Sequence, residues 1–346
     1  MGAFLQQFPD GSRNSSPDLL EINEKHYEDF AAILEKETIY NPWFTREFLL
    51  QSLKGISLML EERVLLQWLS AYKLNEKSPQ QIKTVGLVLA GNIPLVGFHD
   101  LMCVIAAGHQ VLAKPSSKDD HLIRKVAGVI SSINSSIGGR IKFTDNLLKG
   151  MDAVIATGSN NSSRYFEYYF KDIPHIIRKN RNGVAVLTGK ESKEELELLG
   201  RDIFDYFGLG CRNVTKLYIP DSYDLTILLQ ALDMYHPYYQ HHKYSNNVDY
   251  YRSIYLMNRV DFLDNEVLLV KEDQAIASPV GVVYYERYSD IDRVQKDLNS
   301  RSEEIQCVVS THPRILDAIK PGTTQEPKPW DYADGMDTIR FLNEID

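Results

Sequence analysis

The chain has 346 residues and a net charge of -9, with 43% hydrophobic and 25% charged residues. That length is more than one typical hydrophobic core supports, so two or three domains are expected, and the composition is that of an ordinary globular protein. The acidic balance argues against general binding to nucleic acid or to anionic membranes, although it leaves room for a local basic pocket.

The cysteines and the N-terminus indicate a reducing compartment. Cys103, Cys211 and Cys307 are far apart, odd in number and form no CxxC pair, so neither a disulfide framework nor a zinc knuckle is predicted. The first residues show no secretion signal or myristoylation pattern, and no apolar run is long enough to span a membrane. We therefore expect a cytoplasmic protein.

The first half of the chain predicts helices followed by a parallel sheet. Residues 1–17 are rich in small polar residues and predict a mobile lead-in, and residues 18–72 show the apolar spacing of amphipathic helices. From residue 83, short apolar runs alternate with helix-length segments, which is typical of βαβ units. The predicted strands are KTVGLVLA, QVLAKPSS, RIKF and MDAVIATG.

A second strand–helix–strand series begins near Gly183. It comprises the strand GVAVLTG, the amphipathic helix KESKEELELLGRDIFDYFG, the strand TKLYIP and later strands at EVLLV, VGVVYYE and IQCVVS. The last twenty or so residues predict a tail that packs back on the body. We therefore expect an α/β protein with two doubly wound parallel-sheet domains after an N-terminal helical segment. The expected divisions are residues 1–80, 81–182 (nucleotide binding), 183–322 (catalytic) and 323–346 (tail).

Three polar segments follow strands of the first series, where parallel sheets bind ligands. Asn92 in AGNIP could donate a hydrogen bond to an oxyanion or could be an ordinary turn residue. Lys114, with Ser116 nearby, could bind the ribose or phosphate of a dinucleotide or could be solvated. Gly158 and Ser159 open a helix whose N–H groups suit a phosphate, or they merely cap it. No GxGxxG fingerprint follows the first strand.

Cys211 lies in the turn FGLGCRN, where glycines permit a sharp turn and the following arginine would favour a thiolate. A buried structural cysteine is the alternative that local sequence leaves open. Cys103 and Cys307 fall in an apolar helix and an apolar strand and are assigned to the core. The histidines of HPYYQHHKY lack zinc-protease spacing, so no metal site is predicted, and this aromatic segment either lines a substrate channel or packs.

Taken together, five segments resemble the aldehyde dehydrogenase superfamily in order and spacing. They are GNIP (91–94), KPSS (114–117), TGSN (157–160), TGK (188–190) and GLGCRN (208–213). Within that superfamily the chain is most similar to the LuxC-type acyl-CoA reductases, the fatty-acid reductase family of bacterial luminescence. The similar segments are the NPWF region, GCRNVTKLYIP, HHKYSNNVDYYRSIYLMN and the terminal WDYADG.

The resemblance implies an aldehyde dehydrogenase-like fold and the reduction of an acyl thioester to an aldehyde. NADPH is the expected cofactor, with NADH as the alternative. In this interpretation Cys211 accepts the acyl group and Asn92 stabilises the oxyanion. Cofactor contacts are assigned to Lys114, Ser116, Gly158 and Ser159.

Two positions depart from the superfamily pattern. Hydrolytic members carry a general-base glutamate at a position that we match to Val186, which favours acyl-thioester chemistry over aldehyde oxidation. The glutamate that usually contacts the nicotinamide ribose falls near Ala275, with Glu272 close by.

Three alternatives stay open. One is a reductase of the same superfamily that acts on an acyl phosphate, another is a nicotinamide-independent cysteine acyltransferase or thioesterase, and the third is a non-catalytic subunit that binds acyl carriers. The expected partners are an acyl-CoA or acyl-carrier substrate, further copies of the chain, and an acyl-transferring or aldehyde-consuming enzyme. No nucleic-acid partner and no membrane span are expected.

Overall fold

The computed structural model describes residues 1–72 and 82–345. The chain divides into two compact units, the first formed by Met1–Asn180 with Lys328–Asp346 and the second by Arg181–Pro327. The expected boundary at residues 80 and 81 lies outside the described residues, and the four-part division by function stays a prediction. No helix of the described ranges is both long and apolar enough to cross a bilayer.

Four helices open the first unit: α1 (Gly2–Gln6), α2 (Pro17–Tyr40), α3 (Arg46–Met59) and α4 (Glu62–Leu69). Pro17 suits the first turn of α2 because its missing N–H would have no helical partner there. Phe4 and Leu5 are completely buried in the core that these helices share with the first sheet. The prediction of a mobile lead-in is therefore wrong at α1, because two large apolar side chains outweigh the polar composition around them.

The first sheet is wholly parallel, with the strand order β3-β2-β1-β4-β5. Its elements are β1 (Thr84–Val88), α5 (Phe98–Ala106), β2 (Gln110–Lys114), α6 (His121–Ile133), α7 (Ser135–Gly138), β3 (Ile141–Phe143), β4 (Ala153–Thr157), α8 (Asn160–Phe170) and β5 (His175–Arg178). The four strands predicted from apolar runs are present. The short β5 was not predicted, because its HIIR sequence contains only two apolar residues.

The second unit holds a sheet in the order β11-β6-β7-β10-β9-β8, parallel except for the β8–β9 pair. Its elements are β6 (Asn182–Val186), α9 (Lys193–Phe204), β7 (Val214–Pro220), α10 (Leu225–Ala231), α11 (His242–Met257), β8 (Leu263–Asp264), β9 (Leu269–Glu272), β10 (Val282–Tyr288), α12 (Ile291–Ser300) and β11 (Ile305–Val309). Ser192 and Glu195 form a reciprocal capping box that fixes the start of α9. Two parallel-sheet units confirm the predicted α/β class.

The C-terminal segment returns to the first unit and ends in α13 (Thr338–Asn343). Ile339 and Leu342 are completely buried in the first core. The Trp68 indole N–H donates to the Tyr332 hydroxyl at 2.8 Å. The segment is thus held to the first unit both by apolar packing in its core and by this hydrogen bond.

Candidate active site

The strands of the first sheet bring three sequence-predicted loops to one edge. Val88 of β1 lies beside Lys114 of β2 and beside Ala156 of β4, so these three neighbouring strands end at the same level. The loops that carry Asn92, Lys114 and Ser159 therefore leave the sheet side by side, at its carboxyl edge. This is the edge where parallel sheets bind their ligands.

The loop that carries Asn92 is closely packed although Asn92 itself is exposed. A Cβ at Gly91 would lie 2.7 Å from the Ser116 hydroxyl oxygen, so only glycine permits this approach between the two loops. Leu95 adopts a left-handed conformation with φ of 56°. The N–H of Leu95 donates to the buried carboxylate of Asp119 at 2.7 Å. Sequence reasoning missed Asp119, because an aspartate in the run KDD is typical of a solvated helix start.

Lys114 is half-buried at the end of β2. Its ammonium group makes no hydrogen bond or ion pair with any residue that the structure describes. A partly desolvated cation at a sheet edge is suited to an anionic ligand, because a charge-assisted contact would offset its desolvation. The hydroxyl of Ser116 accepts from the Lys118 N–H at 3.2 Å and shapes the turn after the strand.

Ser159 caps α8, as the simpler of the two sequence interpretations expected. Its hydroxyl accepts from the Ser162 N–H at 3.3 Å. A Cβ at Gly158 would lie 2.8 Å from the ring of Phe166, so glycine allows the strand to approach the helix closely. Capping satisfies one of the free N–H groups at this helix start and leaves the others able to face an anion.

In the second unit, the turn that contains Cys211 is held by the fully buried side chain of Asn213. The Asn213 amide oxygen accepts from the Gly210 N–H at 2.8 Å. The Asn213 amide nitrogen donates to the carbonyls of Asp202 and Asp205, at 3.0 and 2.9 Å. One side chain thereby joins the residue before Cys211 to the end of α9.

Arg212 extends this network on the other side of Cys211. Its guanidinium Nε donates to the Thr324 carbonyl at 2.6 Å. The carboxylate of Asp202 accepts from the backbone N–H groups of Gly322 and Thr324, at 2.6 and 3.0 Å. Burial raises the pKa of Asp202, against the lowering effect of those two hydrogen bonds. Both carboxylate oxygens of Asp202 are used to hold backbone, so this group is structural.

The backbone adopts left-handed conformations just before Cys211. Tyr206, Phe207 and Gly208 all lie in the left-handed region, with φ of 54°, 55° and 73°. Such a conformation costs roughly 1–3 kcal/mol for each non-glycine residue and is concentrated at functional sites. The predicted helix that runs to Gly208 is therefore wrong in its last turn, since α9 ends at Phe204. Gly208 is the only sequence signal of this left-handed stretch.

The three cysteines differ in accessibility. Cys211 is half-buried, whereas Cys103 and Cys307 are buried, which confirms their assignment to the core. Burial raises the pKa of the Cys103 thiol well above its ordinary value, so that thiol is a poor nucleophile at neutral pH.

Residues 275–281 reach the same end of β7 that Cys211 precedes. The Thr215 hydroxyl donates to the Ile276 carbonyl at 2.8 Å and fixes this segment. A small cavity of about 20 Å³ lies here, lined by residues 203, 207–208, 214–215, 244, 268 and 278–283. That volume holds about one water molecule, and Cys211 is not among the residues that line the cavity.

Val186 lies at the opposite end of the sheet from Cys211. Gly183 pairs with Val214 at the amino end of β6, whereas Val186 pairs with Tyr218. Tyr218 is four residues further along β7 than Val214, or roughly 13 Å, and Cys211 comes three residues before Val214. A carboxylate at position 186 could not activate water at Cys211. The match of Val186 to the general-base position is therefore wrong, and its argument against aldehyde oxidation does not hold.

The histidine- and tyrosine-rich segment packs behind the Cys211 turn. Phe204 stacks on Tyr235 with ring centroids 4.6 Å apart, and His241 lies 4.3 Å from the Phe207 ring. Across residues 1–72 and 82–345, no three His, Cys, Asp or Glu side chains come together as a metal site. Of the two interpretations of this segment, these ring contacts support packing.

The fold has clear counterparts among solved structures. The NAD⁺ complex of an aldehyde dehydrogenase from Bacillus cereus has a TM-score of 0.60 at 11% identity, over 90% of this chain and 72% of that one. An aldehyde dehydrogenase of Mycobacterium tuberculosis with NAD⁺ gives 0.59 at 13%, over 90% and 77%. Aldehyde dehydrogenase C of Pseudomonas syringae, a mutant with NAD⁺ and octanal, gives 0.58 at 13%, over 90% and 80%.

The chain has the aldehyde dehydrogenase-like fold. This confirms the predicted fold class. At 11 to 13% identity, the similarity establishes the fold alone. No protein-family model matches the sequence, and no curated protein matches it.

Proposed function

We propose that this protein is a nicotinamide-dependent oxidoreductase that reduces an acyl thioester to an aldehyde through an acyl-cysteine at Cys211. The observation that carries this proposal is the state of Cys211: it is half-buried, in a turn that Asn213 and Arg212 brace, while the other two thiols are buried. The fold and the resemblance to LuxC-type reductases support the same reaction class.

Cys211 and Asn92 are the proposed chemical groups. The Cys211 thiolate attacks the thioester carbonyl, the carbon–sulfur bond to the carrier breaks, and the carrier leaves as a thiol after taking a proton. On the family resemblance, we assign stabilisation of the oxyanion to the Asn92 amide and the Cys211 N–H. One such donor contributes about 3 kcal/mol to transition-state stabilisation.

The residues at the carboxyl edge of the first sheet fit a nicotinamide dinucleotide. Lys114 is a half-buried cation without a partner among the described residues, and the N-terminus of α8 presents N–H groups beyond those that Ser159 caps. Such groups bind phosphates and ribose hydroxyls. Gly91 and Gly158 let the neighbouring loop and helix α8 pack closely at this edge. When bound, the nicotinamide supplies the hydride that reduces the acyl group. We assign the cofactor as NADPH, with NADH as the alternative.

The fatty-acyl class rests on the LuxC resemblance, and octanal in the P. syringae structure is an apolar-chain aldehyde bound to the same fold. The assays separate three alternatives: an acyl phosphate in place of the thioester, a nicotinamide-independent acyltransferase, and a non-catalytic acyl-carrier subunit.

The proposal also includes the assembly and the compartment. We propose a cytoplasmic homo-oligomer that exchanges acyl groups or aldehyde with a partner enzyme. Light scattering on the purified chain tests the oligomer.

Product analysis on two cysteine variants tests the reaction. Wild type is supplied with fatty acyl-CoA and NADPH, and separately with aldehyde and NAD⁺ or NADP⁺, and both aldehyde and acid are quantified. We expect aldehyde from acyl-CoA, at least about a thousandfold less from Cys211→Ala, and near-normal amounts from Cys103→Ala, whose thiol lies in the other unit. Undiminished turnover by Cys211→Ala would sink the assignment. Formation of acid alone, from aldehyde, would identify a dehydrogenase instead.

A further inference from the structure

A buried carboxylate lies beneath the loop that carries Asn92. Asp119 is 3% exposed, and its Oδ2 accepts the Leu95 N–H at 2.7 Å. Its Oδ1 is buried without a hydrogen-bond partner among the described residues. A carboxylate that is removed from water and satisfied on one oxygen is costly, so a neutral side chain would serve a purely structural role better.

The backbone that Asp119 holds is in an unfavourable conformation. Leu95 has a φ of 56°, which a branched apolar residue rarely adopts, and its own side chain is buried. On the other side of the loop, the Ser52 hydroxyl donates to the Pro94 carbonyl at 2.8 Å. Two side-chain hydrogen bonds on consecutive residues therefore maintain the strained turn that follows Asn92.

Asp119 is also tied to the neighbouring loop. Its N–H donates to the Ser116 carbonyl at 3.0 Å. A Cβ at Gly91 would lie 3.2 Å from that same nitrogen and 2.7 Å from the Ser116 hydroxyl. The segment that follows Lys114 therefore contacts the Asn92 loop at two points. Ser116 and the Asp119 N–H pack against Gly91, and the Asp119 carboxylate accepts from the Leu95 N–H.

We propose that Asp119 is a positioning residue, which locks the loop of residues 91–97 onto the loop of residues 114–117 and so fixes the direction of the Asn92 amide. It acts through the Leu95 N–H and touches no reacting atom. This inference rests on the proposed function, in which the Asn92 amide stabilises the oxyanion. Without the acceptor, the Leu95 N–H is left buried and unpaired, and Leu95 is free to relax to right-handed backbone, which turns the loop.

The charges around Asp119 make this lock, the hydrogen bond between the Leu95 N–H and the Asp119 carboxylate, dependent on pH. The pKa of Asp119 is raised to about 7: burial raises it most, the Leu95 hydrogen bond lowers it, and the carboxylates of Glu37 and Asp120 raise it further. Glu37 lies on α2, is 1% exposed and faces His121 Nδ1 at 3.4 Å. The ionised carboxylate is the stronger acceptor, so the lock tightens as pH rises through about 7.

Three variants test the inference: Asp119→Ala removes the acceptor, Asp119→Asn keeps an acceptor without charge, and Asp120→Ala is the matched control. Asp120 neighbours Asp119, but its carboxylate pairs with Arg124. The readouts are amide hydrogen exchange at Leu95, single-turnover acylation of Cys211 by fatty acyl-CoA without nicotinamide, and alkylation of Cys211 by iodoacetamide.

In Asp119→Ala we expect faster exchange at Leu95 and acylation slowed roughly 10- to 100-fold, the scale of a misplaced catalytic group, with alkylation unchanged. Asp119→Asn should recover most of that loss. The ratio of the acylation rate to the alkylation rate, which cancels the ionisation of Cys211 itself, should rise with pH near 7 in wild type and stay flat in Asp119→Asn. Asp120→Ala should match wild type in Leu95 exchange and in acylation at pH 8, where Asp119 is ionised in both proteins.

Wild-type acylation and wild-type exchange in Asp119→Ala would overturn the inference. If Asp119→Ala does not fold, a ratio of acylation to alkylation that depends on pH in Asp119→Asn as it does in wild type would overturn it equally. If wild type itself forms no acyl adduct, the proposed function fails, and unchanged exchange at Leu95 would still decide against the lock.

Discussion

Asn213 is completely buried and uses both ends of its amide to hold the Cys211 turn. Neither a carboxylate nor an alanine could accept from Gly210 while donating to two carbonyls. Nothing in the letters GCRN distinguishes this role from that of an exposed turn residue, since the partners at Asp202 and Asp205 lie eight or more residues away. The sequence identified the nucleophile candidate but not the side chain that fixes it.

Asn213→Ala should therefore lower the free energy of unfolding by about 3 kcal/mol, because a buried N–H and two carbonyls lose their partner. Urea denaturation of the wild type and the variant measures this. Asn258→Ala is the control, since that exposed side chain bonds only within its own helix end and should change stability by less than about 0.5 kcal/mol. Equal effects in the two variants would contradict the role assigned to Asn213.

Asp119 carries a stability prediction that is independent of catalysis. Its pKa is raised from 3.8 to about 7 on folding, so between those values the folded state binds a proton that the unfolded state has lost. The free energy of unfolding therefore falls as pH rises through this window, by up to roughly 4 kcal/mol. Asp119→Asn lacks this titration.

We expect Asp119→Asn to match wild-type stability near pH 4, to exceed it increasingly up to about pH 7, and to keep that advantage at higher pH. Thermal unfolding of the two proteins at several pH values measures the difference. A constant difference across that range would show that Asp119 does not titrate as the structure implies.

At the scale of elements, apolar runs and helical spacing located the long helices and most strands. They failed where tertiary contacts decide: α1 is held by Phe4 and Leu5, β5 is completed by its neighbour β4, and the end of α9 is set by the left-handed Tyr206 and Phe207. None of these has a local pattern that a single sequence displays. The mistaken match of Val186 has the same origin, because spacing does not reveal which end of a strand faces the site.

The C-terminal helix supplies an element-scale prediction. Leu342 is completely buried in the first core, so Leu342→Ala should destabilise the first unit by about 3 kcal/mol through lost burial and a cavity. Hydrogen exchange resolved by peptide would report faster opening in the first unit. Met336→Ala, at an exposed position shortly before α13, should leave exchange unchanged. Loss of protection confined to residues 338–345 would mean that α13 opens independently of that core.

At the scale of the whole molecule, the sequence predicted two α/β parallel-sheet domains, and the fold comparison agrees. Five short segments in order identified three loops that the sheet does bring to one edge. What those loops do to a substrate depends on side chains that lie far apart in the chain, such as Ser52 and Asp119 around the Asn92 loop. Such pairings are set by the fold and could not be predicted from spacing.

Intact-protein mass spectrometry tests the central claim most directly. The chain is incubated with acyl-CoAs of increasing length, first alone and then with NADPH. We predict a single acyl adduct on Cys211, absent from Cys211→Ala, which disappears on addition of NADPH as aldehyde accumulates. The absence of an adduct with every acyl-CoA, or an adduct that persists in Cys211→Ala, would contradict the proposed chemistry.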